Sequence, residues 1–297
     1  MVSPQDKRQC VGYLVTEKDY SERRACQLAG IARSSHRYQA KPAADEKELR
    51  AKIRDLAVEN KTYGYRTITA LLQRDGWIVN KKRVQRIWQA EGLQQPRRKP
   101  RKRYYGPKGE VKQKASYPNH VWSYDFAEDR TEKGGKLRIL TIMDEYTRES
   151  LAIRVERSIK AVDIINTLEW LFLVRGAPAH MRSDNGPEFV AQAVQDWLSK
   201  RECQTIYITP GSPWENPYIE SFIGTLRREC LDRYLFVNGR EAQQVIAAWQ
   251  HEYNHYRPHS SLNYMAPVEF ARQQSTVADL VVATALSISD MRPILPL

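Results

Sequence analysis

The stretch Val121-Trp122-Ser123-Tyr124-Asp125-Phe126 decides how the rest of the chain is read. Its apolar and aromatic residues alternate with the period of a strand, yet a carboxylate stands inside the run. Burying that carboxylate is costly unless it is used or paired. Downstream, Gly134-Gly135 reads as a turn into a second strand, Leu137 to Met143, and Leu151 to Val155 supplies a third. Ile159 to Val174 reads as a helix, and Met181-Arg182-Ser183 as a short fourth strand leading to Asp184. Ala191 to Lys200 reads as helix and Thr205 to Ile208 as a fifth strand. After a loop, Thr209 to Glu215, a helix runs from Asn216 to Cys230. A later helix, Arg240 to Tyr256, carries Val245, Ile246, Trp249 and Tyr253 as a core stripe.

Three strands, helix, strand, helix, strand, helix is the element order of a ribonuclease H-like domain. Upstream of it the composition changes. The 297 residues carry a formal net charge of +12, but residues 1–116 hold 28 Lys and Arg against 12 Asp and Glu, a net of +16. Residues 117–297 hold 19 against 23, a net of −4. A basic half supplies the phosphate-neutralising part of nucleic-acid affinity. No apolar run approaches the roughly 18–20 residues of a membrane span, and polar residues follow Met1, so a soluble intracellular protein is expected, cytoplasmic and, given its basic half, nucleoid-associated. Cys10, Cys26, Cys203 and Cys230 are scattered without a C-x-x-C pair, which indicates neither a disulfide framework nor a zinc ribbon.

The basic half reads as two helical units. Ser21 caps a helix from Glu22 to Leu28, Gly30 supplies a turn, and Ile31 to Tyr38 forms the next helix, with Arg33, Ser34 and Arg37 offered to a DNA groove. That is helix-turn-helix order over residues 1–40. A second unit, residues 41–93, has apolar Leu49, Ile53, Leu56, Ile68, Leu71, Leu72, Val84, Ile87 and Trp88 at helical spacing. Asn80 caps its last helix, whose polar side carries Lys81, Lys82 and Arg83. Residues 94–116 hold nine basic residues, one acidic and three prolines, so they read as an extended basic linker. Its Arg97, Arg98, Arg101 and Arg103 are candidate backbone contacts.

Five stretches together carry a resemblance to a known family. They are Tyr63-Gly64-Tyr65-Arg66, Val121 to Phe126, Arg182-Ser183-Asp184-Asn185-Gly186-Pro187-Glu188-Phe189, Ile219-Glu220-Ser221-Phe222 and Tyr256-Arg257-Pro258-His259-Ser260. From Ser21 to Arg272 the chain resembles the OrfB-type DDE transposases of bacterial insertion sequences, relatives of retroviral integrases. The resemblance implies an α+β multidomain protein: helix-turn-helix units, then a ribonuclease H-like catalytic domain with a five-stranded mixed sheet and flanking helices. That domain with its C-terminal helical extension spans residues 117–272, leaving 273–297 as a tail without an interpretable pattern.

In this family two Asp and a Glu form the active site, with 35 residues between the last two. Asp184 and Glu220 have that separation, so the resemblance implies Asp125, Asp184 and Glu220 as catalytic residues and metal ligands. Phosphodiester transfer by in-line attack uses two hard cations about 3.5–4 Å apart. Mg²⁺ prefers oxygen ligands, so the expected cofactor is a pair of Mg²⁺ ions, with Mn²⁺ as a substitute. Asn216 and Arg227 flank Glu220 at helical spacing on one expected face. Arg227 matches a basic position the family uses for DNA, whereas Pro217 and Ile223 stand where Gly and Asn are usual.

The resemblance further implies double-stranded DNA partners, namely terminal inverted repeats and target DNA. It also implies a homo-oligomer that synapses two ends, and an upstream-frame subunit or fusion partner. Two other readings keep part of the pattern: a catalytically inactive DNA-binding regulator of transposition, and a stand-alone ribonuclease H-like nuclease. The three carboxylates together argue against the first, and the basic N-terminal half against the second. His251-Glu252-Tyr253-Asn254-His255 matches H-E-x-x-H, but Pro258 soon ends that helix and no third ligand is set apart, so zinc is not expected.

Overall fold

The computed structural model describes residues 3–38, 44–95, 113–184, 186, 189, 191–209 and 215–274. Arg97, Arg98, Arg101 and Arg103, most of the linker and nearly all of the 273–297 tail lie outside the described residues. The chain divides into two compact units, Met1–Asp55 and Leu56–Leu297. Among the described residues no helix is long and apolar enough to cross a membrane.

In the first unit, α1 (Pro4–Thr16) starts at a capping box in which Ser3 and Asp6 satisfy each other's backbone N–H. Ser21 caps α2 (Glu22–Leu28) as expected, and Gly30 takes a φ of +62° to end it. Helix α3 (Arg33–Arg37) is shorter than Ile31 to Tyr38. The reason lies in the turn: the Ile31 N–H bonds back to the Cys26 carbonyl, so Ile31 closes α2 and joins the small core of Val11, Ala25 and Cys26. Lys7 and Arg8 donate to the Gly30 and Ser35 carbonyls, tying α1 to that turn and to α3. Most of α4 (Glu46–Glu59) follows, with Leu49 and Ile53 buried.

The second unit begins within α4 and continues through α5 (Tyr65–Arg74) and α6 (Lys81–Ala90). Their buried stripe is Ile68, Leu72, Val84, Ile87 and Trp88. Asn80 caps α6 by accepting from the Lys82 N–H at 2.9 Å. The turn after α4 and helix α5 are anchored on the following domain. Arg257 lies 5.7 Å from the ring centre of buried Tyr63 and makes two 2.8 Å bonds to Glu229, while Arg74 reaches the Tyr256 carbonyl and Glu269.

The catalytic-type domain contains β1 (Val121–Arg130), β2 (Lys136–Asp144), β3 (Ser150–Glu156), β4 (His180–Ser183) and β5 (Gln204–Tyr207) in the order β3-β2-β1-β4-β5. The three longer strands form an antiparallel meander, and β4 and β5 add in parallel. Parallel neighbours require crossovers, supplied by α7 (Ala161–Arg175) and α8 (Gln192–Ser199). Both pack on one face over Trp122, Tyr124, Leu140 and Ile142. The opposite face, with Ala127, Leu137, Ile139 and Met143, is covered by α9 (Pro217–Glu229) and α10 (Gly239–His255). Strand β1 runs four residues beyond Phe126, because pairing with β2 continues to Arg130 opposite Lys136 around a turn where Gly134 has a φ of +78°.

Candidate active site

The position of Asp125 follows from unequal strand lengths. On one side β2 pairs with β1 throughout, but on the other β4 pairs only with Val121 to Ser123. Val121 to Tyr124 are therefore buried, whereas Asp125 and Phe126 are half-buried where the sheet opens. Ser123 lies opposite Arg182 in that parallel register. Continued by two residues, the register brings Asp184, just past the end of β4, alongside Asp125.

Burial pushes the Asp125 carboxyl up to about 6. A 2.7 Å bond from the Phe126 N–H opposes this, and the neighbouring carboxylates of Asp184 and Glu220 add to it. The three carboxylates thus share one electrostatic neighbourhood. They are not closed into a cage: among the described residues no three His, Cys, Asp or Glu side chains stand close enough together to hold a metal ion.

Two features hold Asp184 in place. Its Oδ1 accepts from the Gly186 N–H at 3.0 Å, and a Cβ on residue 186 would meet that same oxygen at 3.0 Å. Phe189 is 1% exposed, packs edge-on to Tyr124 with ring centres 4.2 Å apart, and stacks on Phe126 at 4.8 Å. Its N–H bonds to the Gly186 carbonyl at 3.0 Å, which ties Gly186 to the two aromatics that bracket Asp125.

Under the same strand lies a charge pair that the sequence did not reveal. Arg182 and Glu145 are both fully buried, with Nε to Oε1 at 2.7 Å. Ser123 also donates to Glu145, and Arg182 donates to the Gln113 carbonyl at 2.8 Å. An Arg within a four-residue strand was the visible signal. Its partner, 37 residues earlier in sequence, was not.

Glu220 is exposed on the first turn of α9, and Arg227, also exposed, donates to the Glu128 carbonyl at 2.8 Å. The expectation that Asn216 shares their open face needs correction. Asn216 is the N-cap residue, only 2% exposed, with no side-chain capping bond, so it lies beneath that face. Its Oδ1 is buried without a hydrogen-bond partner among the described residues.

Of the other candidate contacts, Arg33, Ser34, Lys81 and Lys82 are exposed, and Arg83 is partly buried. Arg37 is engaged by Glu22 through Nε at 2.9 Å and through a second bond at 2.5 Å. His251 and His255 stack with ring centres 4.4 Å apart, and Tyr253 between them in sequence is buried in the core.

The donor chemistry suits a hard divalent cation. It comprises carboxylate oxygens, one of them raised in pKa by burial and like charge. Mg²⁺ is commonly held by one or two protein carboxylates plus waters and phosphate, so an open arrangement is compatible with it.

Comparison with known proteins agrees with this architecture. Residues 43–101 match the HTH-like domain family, and residues 115–213 and 201–267 match the Integrase core domain. The chain is 40% identical over 265 residues to the 31.7 kDa protein of insertion element IS407 from Burkholderia multivorans (strain ATCC 17616 / 249), spanning 89% of this chain and 95% of that one. Identity is 36% to the 39.2 kDa protein of insertion element IS476 from Xanthomonas euvesicatoria, over 93% of this chain and 79% of the relative. It is 28% to the transposase of insertion sequence element IS904 from Lactococcus lactis subsp. lactis (strain IL1403), over 81% and 100%. With a helix-turn-helix-like domain ahead of an integrase core, the chain belongs to the transposase family of bacterial insertion elements.

Proposed function

We propose that Asp125, Asp184 and Glu220 carry the DNA strand cleavage and joining of this transposase. The observation behind this reading is the half-buried Asp125 carboxylate at the break in β1–β4 pairing, with Asp184 and Glu220 as its electrostatic neighbours. Mg²⁺, as a pair of ions that Mn²⁺ can replace, supplies the charge that neutralises attacking and leaving oxygens when bound. Asp125 sits centrally and Asp184 beside it, with the Gly186 N–H and the Phe189 clasp fixing its direction. Glu220 completes the set from α9. The unsatisfied Asn216 oxygen orients a donor at the same end of the helix. Arg227 meets phosphate two turns on. Water or a 3′-hydroxyl attacks directly, without a covalent enzyme intermediate.

In this reading residues 1–40 and 41–93 hold element-end DNA through Arg33, Ser34, Lys81, Lys82 and Arg83. Arg37 exchanges its Glu22 partner for phosphate. The linker arginines Arg97, Arg98, Arg101 and Arg103 follow the backbone. Copies of the chain synapse two terminal inverted repeats before joining to target DNA, and an upstream-frame product serves as partner or fusion.

The test is strand joining with a pre-cleaved element end, Mg²⁺ and a plasmid target. Asp184→Asn is expected to lower joining beyond the roughly 10–100-fold that outer-shell residues around a metal cost, with duplex binding retained. Joining at the wild-type rate by that variant would sink the mechanism.

A further inference from the structure

The catalytic half carries a net of −4, yet a basic cleft is built into it. The cleft, about 1300 Å³, opens where the β1–β2 turn meets the end of β3 and the start of α10. Lys133 and Lys136 line it from the turn, Arg157 from beyond β3 and Arg240 from α10. All four are exposed, and among the described residues Lys133, Arg157 and Arg240 make no ion pair. One carboxylate, Glu156, also lines the cleft and lies 3.7 Å from Arg154. The start of α10 is already capped, since Asn238 accepts from the Glu241 N–H and Glu241 from the Val237 N–H. The positive character therefore comes from side chains spread over three segments. Spacing of this kind suits a row of phosphates better than a single small anion.

Four solvated cations alone would mean little. What distinguishes these is continuity with the carboxylates. Glu220 to Arg227 advances about 10 Å along α9. Arg227 donates to the Glu128 carbonyl at 2.8 Å, and the Glu128 carboxylate holds Lys136 at 2.8 Å. Along the sheet, Asp125 to Arg130 advances about 17 Å. At 3.4 Å per phosphate on each strand, the cleft begins roughly five base pairs from the carboxylates.

We propose that this cleft holds the phosphate backbone of duplex DNA running away from the scissile phosphate, which it meets about five to ten base pairs out. The inference rests on the active-site reading above and adds a DNA track on the catalytic domain itself.

The test compares the full chain with a K133Q/R157Q/R240Q variant. All three positions are exposed, so the thermal midpoint should hold. Binding is measured against salt, using element-end and target duplexes that extend either four or at least ten base pairs past the scissile phosphate. On long duplexes the slope of log affinity against log salt should shrink by about 2.7, so the wild type loses about 40-fold more affinity than the variant between 50 and 200 mM. Four-base-pair extensions should bind both proteins alike. The long duplex that shows the effect, element end or target, identifies which DNA lies in the cleft.

An unchanged slope on both long duplexes, beside an Asp184→Asn variant that fails to join strands, overturns the cleft and leaves the active site standing. An Asp184→Asn variant that still joins strands overturns the active-site reading, and with it the placement of the cleft relative to a scissile phosphate.

Discussion

Along β1, Val121 to Tyr124 and Asp125 to Arg130 share a chain and share β2 as a partner, but they differ in what lies on the other side. The inner segment has β4 beside it and the outer one does not. Each carries a polar group on the same face of the sheet, Ser123 inside and Asp125 outside. The inner group joins a fully buried, charge-balanced network with Glu145 and Arg182. The outer group faces two more carboxylates, its carboxyl raised to about 6 by burial and by those neighbours. One strand thus contributes a hydroxyl to a buried ion pair held by its neighbours and, two residues on, a carboxylate that strains the fold. Ending β4 at Ser183 separates the two.

Substitutions on either side of that boundary should have opposite signs. Arg182→Met strands Glu145 in the core and is expected to cost about 3–5 kcal/mol in urea unfolding. Replacing both partners with apolar residues, Arg182→Met with Glu145→Leu, should recover most of it. If the single variant is as stable as wild type, the inner network contributes nothing.

Asp125→Asn should stabilise the metal-free protein at pH 7. A folded-state pKa near 6, above the ordinary 3.8, contributes stability that is full below pH 3.8 and is lost as pH rises through 6. Removing the charge should therefore add up to about 3 kcal/mol at pH 7 in a chelator, and progressively less toward pH 4. A loss of stability at pH 7 would contradict the strain assigned to the outer segment.

Gly186→Ala should have the smallest effect on the fold, within about 1 kcal/mol. Its Cβ, 3.0 Å from Asp184 Oδ1 and 3.4 Å from Phe189 Cδ2, should displace the carboxylate by a few tenths of an ångström. Strand joining is expected to fall about 10-fold, since misplacement of about 1 Å can cost 100-fold. Unchanged joining would show that Asp184 tolerates more movement than the contact implies.

Much of this arrangement was legible in the sequence because its causes are local. The alternating run around Asp125, the Ser21 and Asn80 caps, the Gly30 turn and the stripe Ile246, Trp249 and Tyr253 each depend on residues a few positions apart. Less was visible where the cause is distant. Helix α3 is shortened because Ile31 closes α2, and Asn216 is buried at the helix start, although spacing placed it on the open face. The charge count was informative for residues 1–116, where cations cluster in sequence. It was misleading for the rest, since a net of −4 averages away Lys133, Lys136, Arg157 and Arg240, which meet only in the fold.

Element order and family were readable from the chain alone, with Asp125, Asp184 and Glu220 as candidates that the family resemblance implies, because periodicity and motif are local properties of a sequence. Tertiary structure decided which carboxylate is strained, which arginine is locked into the core and where the catalytic domain is basic. Those outcomes depend on solvent exposure and on neighbours from other strands. Asp125 is half-buried only because β4 stops short of it, and no residue near position 125 records that.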